Sequence, residues 1–145
     1  MKYLLLVSHG DFSTGLRQEL SMFAGDAIDS VIAVGLKPDE SADKFGKRFE
    51  DMLENLKSDS QFIVLADIIG GSPLTTVCNV LSKKDLLEES LIIGGMNFSM
   101  ALTALMSKDS EDTLNLRSKI LAEAVEAIKP LEFNEHKSDD DDDDI

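Results

Sequence analysis

One cysteine in 145 residues, no tryptophan, three prolines and two histidines leave few residue types to carry chemistry. The lone Cys78 excludes an internal disulfide and any cysteine-based zinc pattern, and it fits a reducing cytoplasm. It stands in the apolar run "TTVCNVL", the setting of a small core residue rather than a nucleophile. Basic charge is scarce as well. Fourteen Lys and Arg against 28 Asp and Glu give a net charge of −14, which leaves no basic surface for nucleic-acid phosphates. No apolar run approaches the roughly 20 residues that span a bilayer. The start, "MKYLLLVSHG", has no small-residue cleavage site and reads as a strand rather than a signal peptide. The nucleotide-binding loops G-x-x-x-x-G-K-[ST] and G-x-G-x-x-G are both missing, and so is the G-x-S-x-G elbow of serine hydrolases.

What remains is the composition of one globular domain, 43% hydrophobic and 29% charged. Residues 1–130 read as that domain. Residues 131–145 read as a C-terminal segment ending in a disordered acidic tail, because the six consecutive aspartates Asp139 to Asp144 repel one another and cannot build a core. His136, beside that tail, reads as a surface histidine.

Within the domain, apolar runs alternate with amphipathic stretches. "KYLLLV", "SVIAVGL", "QFIVLADIIGG" and "SLIIGG" read as four strands. Helices are expected from about Thr14 to Phe23, from Ser41 to Lys57, from Ser72 to about Ser82, from Asn97 through Met106 and from about Glu111 to Lys129. Ser41 and Ser72 are the expected caps of the second and third, with Pro73 as first helical residue. Alternation at this spacing implies an α/β fold: a doubly wound, mainly parallel four-stranded sheet with helices on both faces.

Chemistry in such sheets gathers at the carboxyl ends of the strands. Three unusual groups fall there: Ser8, His9 and Gly10; Asp67 with Gly70, Gly71 and Ser72; and Gly94, Gly95, Met96 and Asn97. Singly, each has a plain structural reading as a loop histidine, a strand-ending aspartate, turn glycines or a helix cap. Jointly they suggest a site. A histidine nitrogen is nucleophilic near neutral pH, and an aspartate bonded to one ring nitrogen fixes the tautomer and frees the other. The start of a helix at "GGSP" offers N–H groups to an anion. Histidine, aspartate and helix N-terminus together suggest phosphoryl transfer through a phosphohistidine, with no metal and no cofactor required.

The segments "LLLVSHGDFSTGL", "DIIGGSP" and "GGMNFSMAL", in this order, resemble the IIA component of the mannose-type (mannose, fructose, sorbose) branch of the bacterial sugar phosphotransferase system. The resemblance runs from about Lys2 to Lys129. It implies a cytoplasmic phosphocarrier in which His9 accepts phosphate from the phosphocarrier protein HPr and passes it to a separate IIB component for sugar uptake. It gives Asp67 the histidine-orienting role and sets Gly70, Gly71 and Ser72 around the phosphate. Contact with the membrane would be indirect, through the sugar permease. Homodimers are implied too, in known cases with an exchanged C-terminal strand, for which "LEFNEH" is the candidate segment. This chain departs from the family pattern at Leu74, Thr75 and Thr76, where a bulky residue and then asparagine are usual, and at Ser99, where proline is common. Two other readings compete: the phosphocarrier subunit of a dihydroxyacetone kinase, whose third loop lacks "GGSP", and a hydrolase using Ser8 or Ser72 with His9 and Asp67.

Overall fold

A computed structural model describes residues 1–133. His136 and the Asp139–Asp144 run lie outside the described residues, as does most of "LEFNEH"; Leu131 to Phe133 form no strand. The elements run β1 (Lys2–His9), α1 (Phe12–Ser21), a 3₁₀ turn (Gly25–Ser30), β2 (Val31–Leu36), α2 (Ala42–Leu53), β3 (Gln61–Ala66), α3 (Ser72–Lys83), β4 (Leu91–Gly94), α4 (Phe98–Ser107) and α5 (Thr113–Glu126). The four strands pair in the order β2-β1-β3-β4, and every pairing is parallel.

Strand periodicity divides the core. Leu4, Leu6, Ile63 and Leu65 face one side, packed with Leu16 and Leu20 of α1, Met100 and Leu105 of α4, and Leu116 and Ile120 of α5. Leu5, Val7, Val64 and Ala66 face the other, packed with Phe45 and Phe49 of α2 and Val77 and Leu81 of α3. Leu4 through Val7 are wholly buried because both faces of β1 are covered, which is why the strand reads as an unbroken apolar run. Cys78 is half-buried on α3, packed beside the second cluster, and burial pushes its thiol pKa up, consistent with packing rather than reactivity.

Helix ends shift from the sequence expectation for local reasons. α2 stops at Leu53 rather than Lys57 because the chain tightens into i→i+3 bonds, Asn55 N–H to Met52 O and Leu56 N–H to Leu53 O. Leu56 still packs on the core from that turn, so the apolar spacing outlasts the helix. Ser41 caps α2 as expected, accepting from the Lys44 N–H, and Asn97 caps α4 through the Met100 N–H. Ser72 does not cap α3. The N-cap is Gly71, Ser72 is the first helical residue, and Pro73 follows it.

The order β2-β1-β3-β4 reverses the direction of winding between β1 and β3. Their carboxyl ends therefore open onto a crevice, with helices departing to opposite faces. His9 ends β1 and Asp67 follows β3, so the strand order alone sets them side by side.

Candidate functional site

His9 is the last residue of β1, paired in register with Leu36 of β2, and its side chain is 53% exposed. The Asp67 carboxylate holds it twice through one oxygen. Oδ2 accepts the His9 backbone N–H at 2.9 Å and lies 2.8 Å from ring Nδ1. The other oxygen, Oδ1, accepts the Ile68 N–H at 2.9 Å. Asp67 is itself anchored, its N–H donating to Val7 O at 3.0 Å.

Partial burial works to raise the Asp67 pKa, but the bonds from the His9 backbone and ring and from the Ile68 N–H outweigh it. The carboxyl is held below its ordinary value and is ionised at neutral pH. An ionised carboxylate only accepts, so in the neutral ring Nδ1 carries the proton and Nε2 the lone pair.

Gly71 fixes where that nitrogen points. Its backbone is extended (φ −89°, ψ 163°), a conformation open to any residue, so glycine is required here for space. A Cβ at this position would stand 2.8 Å from His9 Cε1 and 3.4 Å from Nε2. The imidazole thus rests on bare backbone, with Nε2 at the N-terminus of α3. That terminus has no side-chain cap, unlike those of α2, α4 and α5. Ser72 is exposed at the start of the helix; among the described residues no hydrogen bond joins its hydroxyl to His9 or Asp67. Gly70 (φ +96°) turns the chain between Asp67 and the helix.

The third group lies further out. Met96 is buried, its N–H on Ala66 O at 2.9 Å, and Asn97 is occupied in capping α4. Gly94 meets the β3–α3 loop through Ile69, whose side chain fills the space a Cβ there would need. Ser8 is wholly buried. Its hydroxyl accepts the Ser13 N–H at 2.8 Å and donates to Gly10 O, so it braces the loop and is not a nucleophile.

Two positioning residues were not anticipated from sequence. Ser13 donates its hydroxyl to Val34 O at 2.9 Å, tying α1 to β2. Gly35 leaves room for the Gly10 carbonyl, which a Cβ would overlap, while the Gly10 N–H reaches Leu36 O at 2.7 Å. A glycine inside the apolar run "SVIAVGL" was the available signal, since such a glycine marks close backbone approach.

The fold and site define a class: a doubly wound parallel α/β domain with an aspartate-held, half-exposed histidine at the switch point of its sheet. Comparison with known proteins narrows the class: residues 3–121 match the family described as "PTS system fructose IIA component", and the chain belongs to that family. A curated relative, the "PTS system fructose-specific EIIA component" of Bacillus subtilis (strain 168), is 22% identical over 115 residues, 77% of this chain and 76% of that one. Among solved structures, the mannose/sorbose-specific IIA subunit of the phosphotransferase system from Enterococcus faecalis superposes with a TM-score of 0.78 at 20% identity, covering 94% of this chain and all of that one. The PTS IIA protein associated with the fucose utilization operon from Streptococcus pneumoniae is 30% identical, with a TM-score of 0.72 over 89% of this chain and 92% of that one. The resemblance drawn from "LLLVSHGDFSTGL", "DIIGGSP" and "GGMNFSMAL" is thereby borne out, and the protein is a IIA component of the mannose/fructose phosphotransferase family.

Proposed function

We propose that this IIA component carries phosphate on Nε2 of His9, taking it from phosphohistidine HPr and passing it to a separate IIB component. The observation that carries the reading is the geometry of one ring: Nδ1 is bound to Asp67 at 2.8 Å, while Nε2 lies against Gly71 at an uncapped helix start. The half exposure of His9 also favours a protein partner, since small-molecule sites are concave and bury most of their ligand.

The step balances without an added proton. Phosphorus is attacked by the His9 Nε2 lone pair as the N–P bond on the donor ring breaks. A donor ring that holds a proton on its other nitrogen leaves as neutral imidazole. The His9 ring takes the positive charge, which Asp67 offsets through Nδ1–H. The Gly71, Ser72 and Leu74 N–H groups and the α3 dipole are disposed to receive the phosphoryl oxygens. Transfer to IIB is the same step reversed, with His9 as leaving group. This chemistry belongs in the cytoplasm, where HPr resides, and leaves membrane contact to the permease. Of the alternatives, the hydrolase is disfavoured because Ser8 is buried and the exposed Ser72 hydroxyl makes no hydrogen bond to His9 or Asp67, and the family match favours the sugar system over the kinase subunit.

Intact mass after incubation with phosphoenolpyruvate, enzyme I and HPr tests the reading. The parent should gain one acid-labile phosphate and His9→Ala none, at equal helix content. Phosphate uptake by His9→Ala would end the proposal.

A further inference from the structure

We propose that Arg48 of α2 is a positioning residue for His9, steadying from the β2 side the chain that Asp67 and Gly71 hold from the β3 side; the inference rests on the phosphocarrier reading. β2 is an edge strand, and among the described residues β1 is its one neighbour. Backbone carbonyls alternate in direction along a strand. Leu36 O turns inward, where it accepts the Gly10 N–H at 2.7 Å, so Gly35 O turns out to the free edge. Arg48 stands where a further strand would have stood, its Nη2 donating to Gly35 O at 2.9 Å. Arg17 of α1 does the same at the other end of this edge, for Val31 O at 2.9 Å, but only Arg48 acts at the end that carries the site.

Gly35 is where the backbone leaving His9 comes to rest. Gly10 takes a φ of +58°, with its carbonyl against the bare Cα of Gly35 and its N–H on Leu36 O. The peptide that follows His9 is thus seated on Gly35 and Leu36. A glycine near the end of an edge strand has no side chain to anchor it and the freest backbone of any residue. The seat needs a bond on its outer side, and Arg48 supplies it.

The arm that makes this bond is built to stay put. Its Nε and Nη2 fork onto the two Glu40 oxygens at 2.7 and 2.8 Å, and the Glu40 side chain is only 5% exposed. Glu40 Oε1 also accepts the Lys37 N–H at 3.1 Å, while the guanidinium lies 5.4 Å from the centre of the buried Phe45 ring. A planar fork seated on a carboxylate in this way aims its remaining hydrogen at one point, the Gly35 carbonyl. Pairing of charge alone would not require that third bond. The consequence for transfer is geometric, since misplacing a reacting atom by about 1 Å can cost on the order of 100-fold in rate.

Two variants and two phosphate donors test the role. Arg48→Lys keeps the charge beside Glu40 without the fork, and Arg48→Met with Glu40→Gln removes the pair without leaving a buried carboxylate unpartnered. The donors are phosphohistidine HPr, which must dock, and phosphoramidate, a small phosphorylating reagent that need not. Both variants, at parental helix content, should label His9 roughly tenfold more slowly at saturating donor, equally with either donor and with KM for HPr unchanged. Amide exchange at Gly10 should quicken and the ring-nitrogen signals of His9 should shift. Parental rates in both variants would overturn the proposal, and so would full rescue in Arg48→Lys, which would leave charge as the whole effect. Slowing with HPr alone, or a raised KM at unchanged maximal rate, would make Arg48 a contact for the donor and overturn it too. Slower labelling with parental Gly10 exchange and ring signals would reject the route through Gly35. A parent that accepted no phosphate from HPr would instead end the phosphocarrier reading, and this role with it.

Discussion

At the scale of single residues, Asp67 and Gly71 act on the same imidazole by opposite means. Asp67 pulls on Nδ1; Gly71 contributes only the absence of a Cβ beneath Cε1 and Nε2. Asp67→Asn should keep the fold and slow phosphate uptake roughly 10- to 100-fold, the cost of losing an orienting partner that also stabilises the charged ring. Gly71→Ala should slow it comparably by displacing the ring. Nitrogen NMR of the His9 imidazole distinguishes them: Asp67→Asn should lose the fixed Nδ1–H tautomer while the ring stays in place. Gly71→Ala should shift both ring nitrogens, and a spectrum matching the parent would show that the ring does not need the space. The residues legible in advance were those whose chemistry is unusual in kind, the scarce histidine and an aspartate at a strand end. Gly71 was legible as part of a phosphate loop, but its contact with the ring depends on where the β1 chain delivers His9.

At the scale of elements, the second loop is joined to its helix by charge. Arg48 of α2 donates to both Glu40 oxygens, at 2.7 and 2.8 Å, and to Gly35 O at 2.9 Å, so the helix is clamped to the strand that supports Gly10. The Arg48 bonds hold the Glu40 pKa down to about 2 against the opposing effect of burial. A depressed carboxyl pKa stabilises the fold at pH values above its unfolded value and loses that contribution as pH falls through the folded one. Glu40→Gln should therefore lower Tm at pH 7, and the gap to the parent should shrink as pH falls from about 4.5 towards 2. A gap independent of pH would mean that the pair contributes only shape. The elements were largely legible because apolar spacing reports which face is covered, whereas their ends were set by bonds that spacing does not encode. Leu56 continues the α2 pattern from a turn, and Ser72 has the chemistry of a cap but stands one residue inside the helix.

At the scale of the whole molecule, α5 shows apolar residues on two sides. Leu116, Ile120 and Ala124 are buried against the domain, while Leu114, Val125 and Ile128 face solvent at 73%, 68% and 76% exposure, with Leu121 between them. Leu131 and Phe133, which follow in the chain, are exposed as well. We propose that a second copy of the chain packs there. Light scattering behind size exclusion should give a dimer for the parent and a monomer for Val125→Glu with Ile128→Glu, both with full helix content. A monomeric parent at micromolar concentration would remove this reading.

The sequence by itself determined the parallel α/β architecture, since unbroken apolar strands between amphipathic helices can bury themselves in few other ways. It also determined which residues had chemistry to offer, because a histidine at one strand end and an aspartate before a glycine-rich helix start at another supply a nucleophile and a group to orient it. Only the tertiary structure decided their arrangement. The order β2-β1-β3-β4 made neighbours of strands more than fifty residues apart in the chain, and so set Asp67 against His9. It brought Gly35 beneath the Gly10 carbonyl and Gly71 beneath the imidazole. Local periodicity reports how a segment is buried; contacts between segments depend on which strand pairs with which, and that is settled when the whole sheet packs.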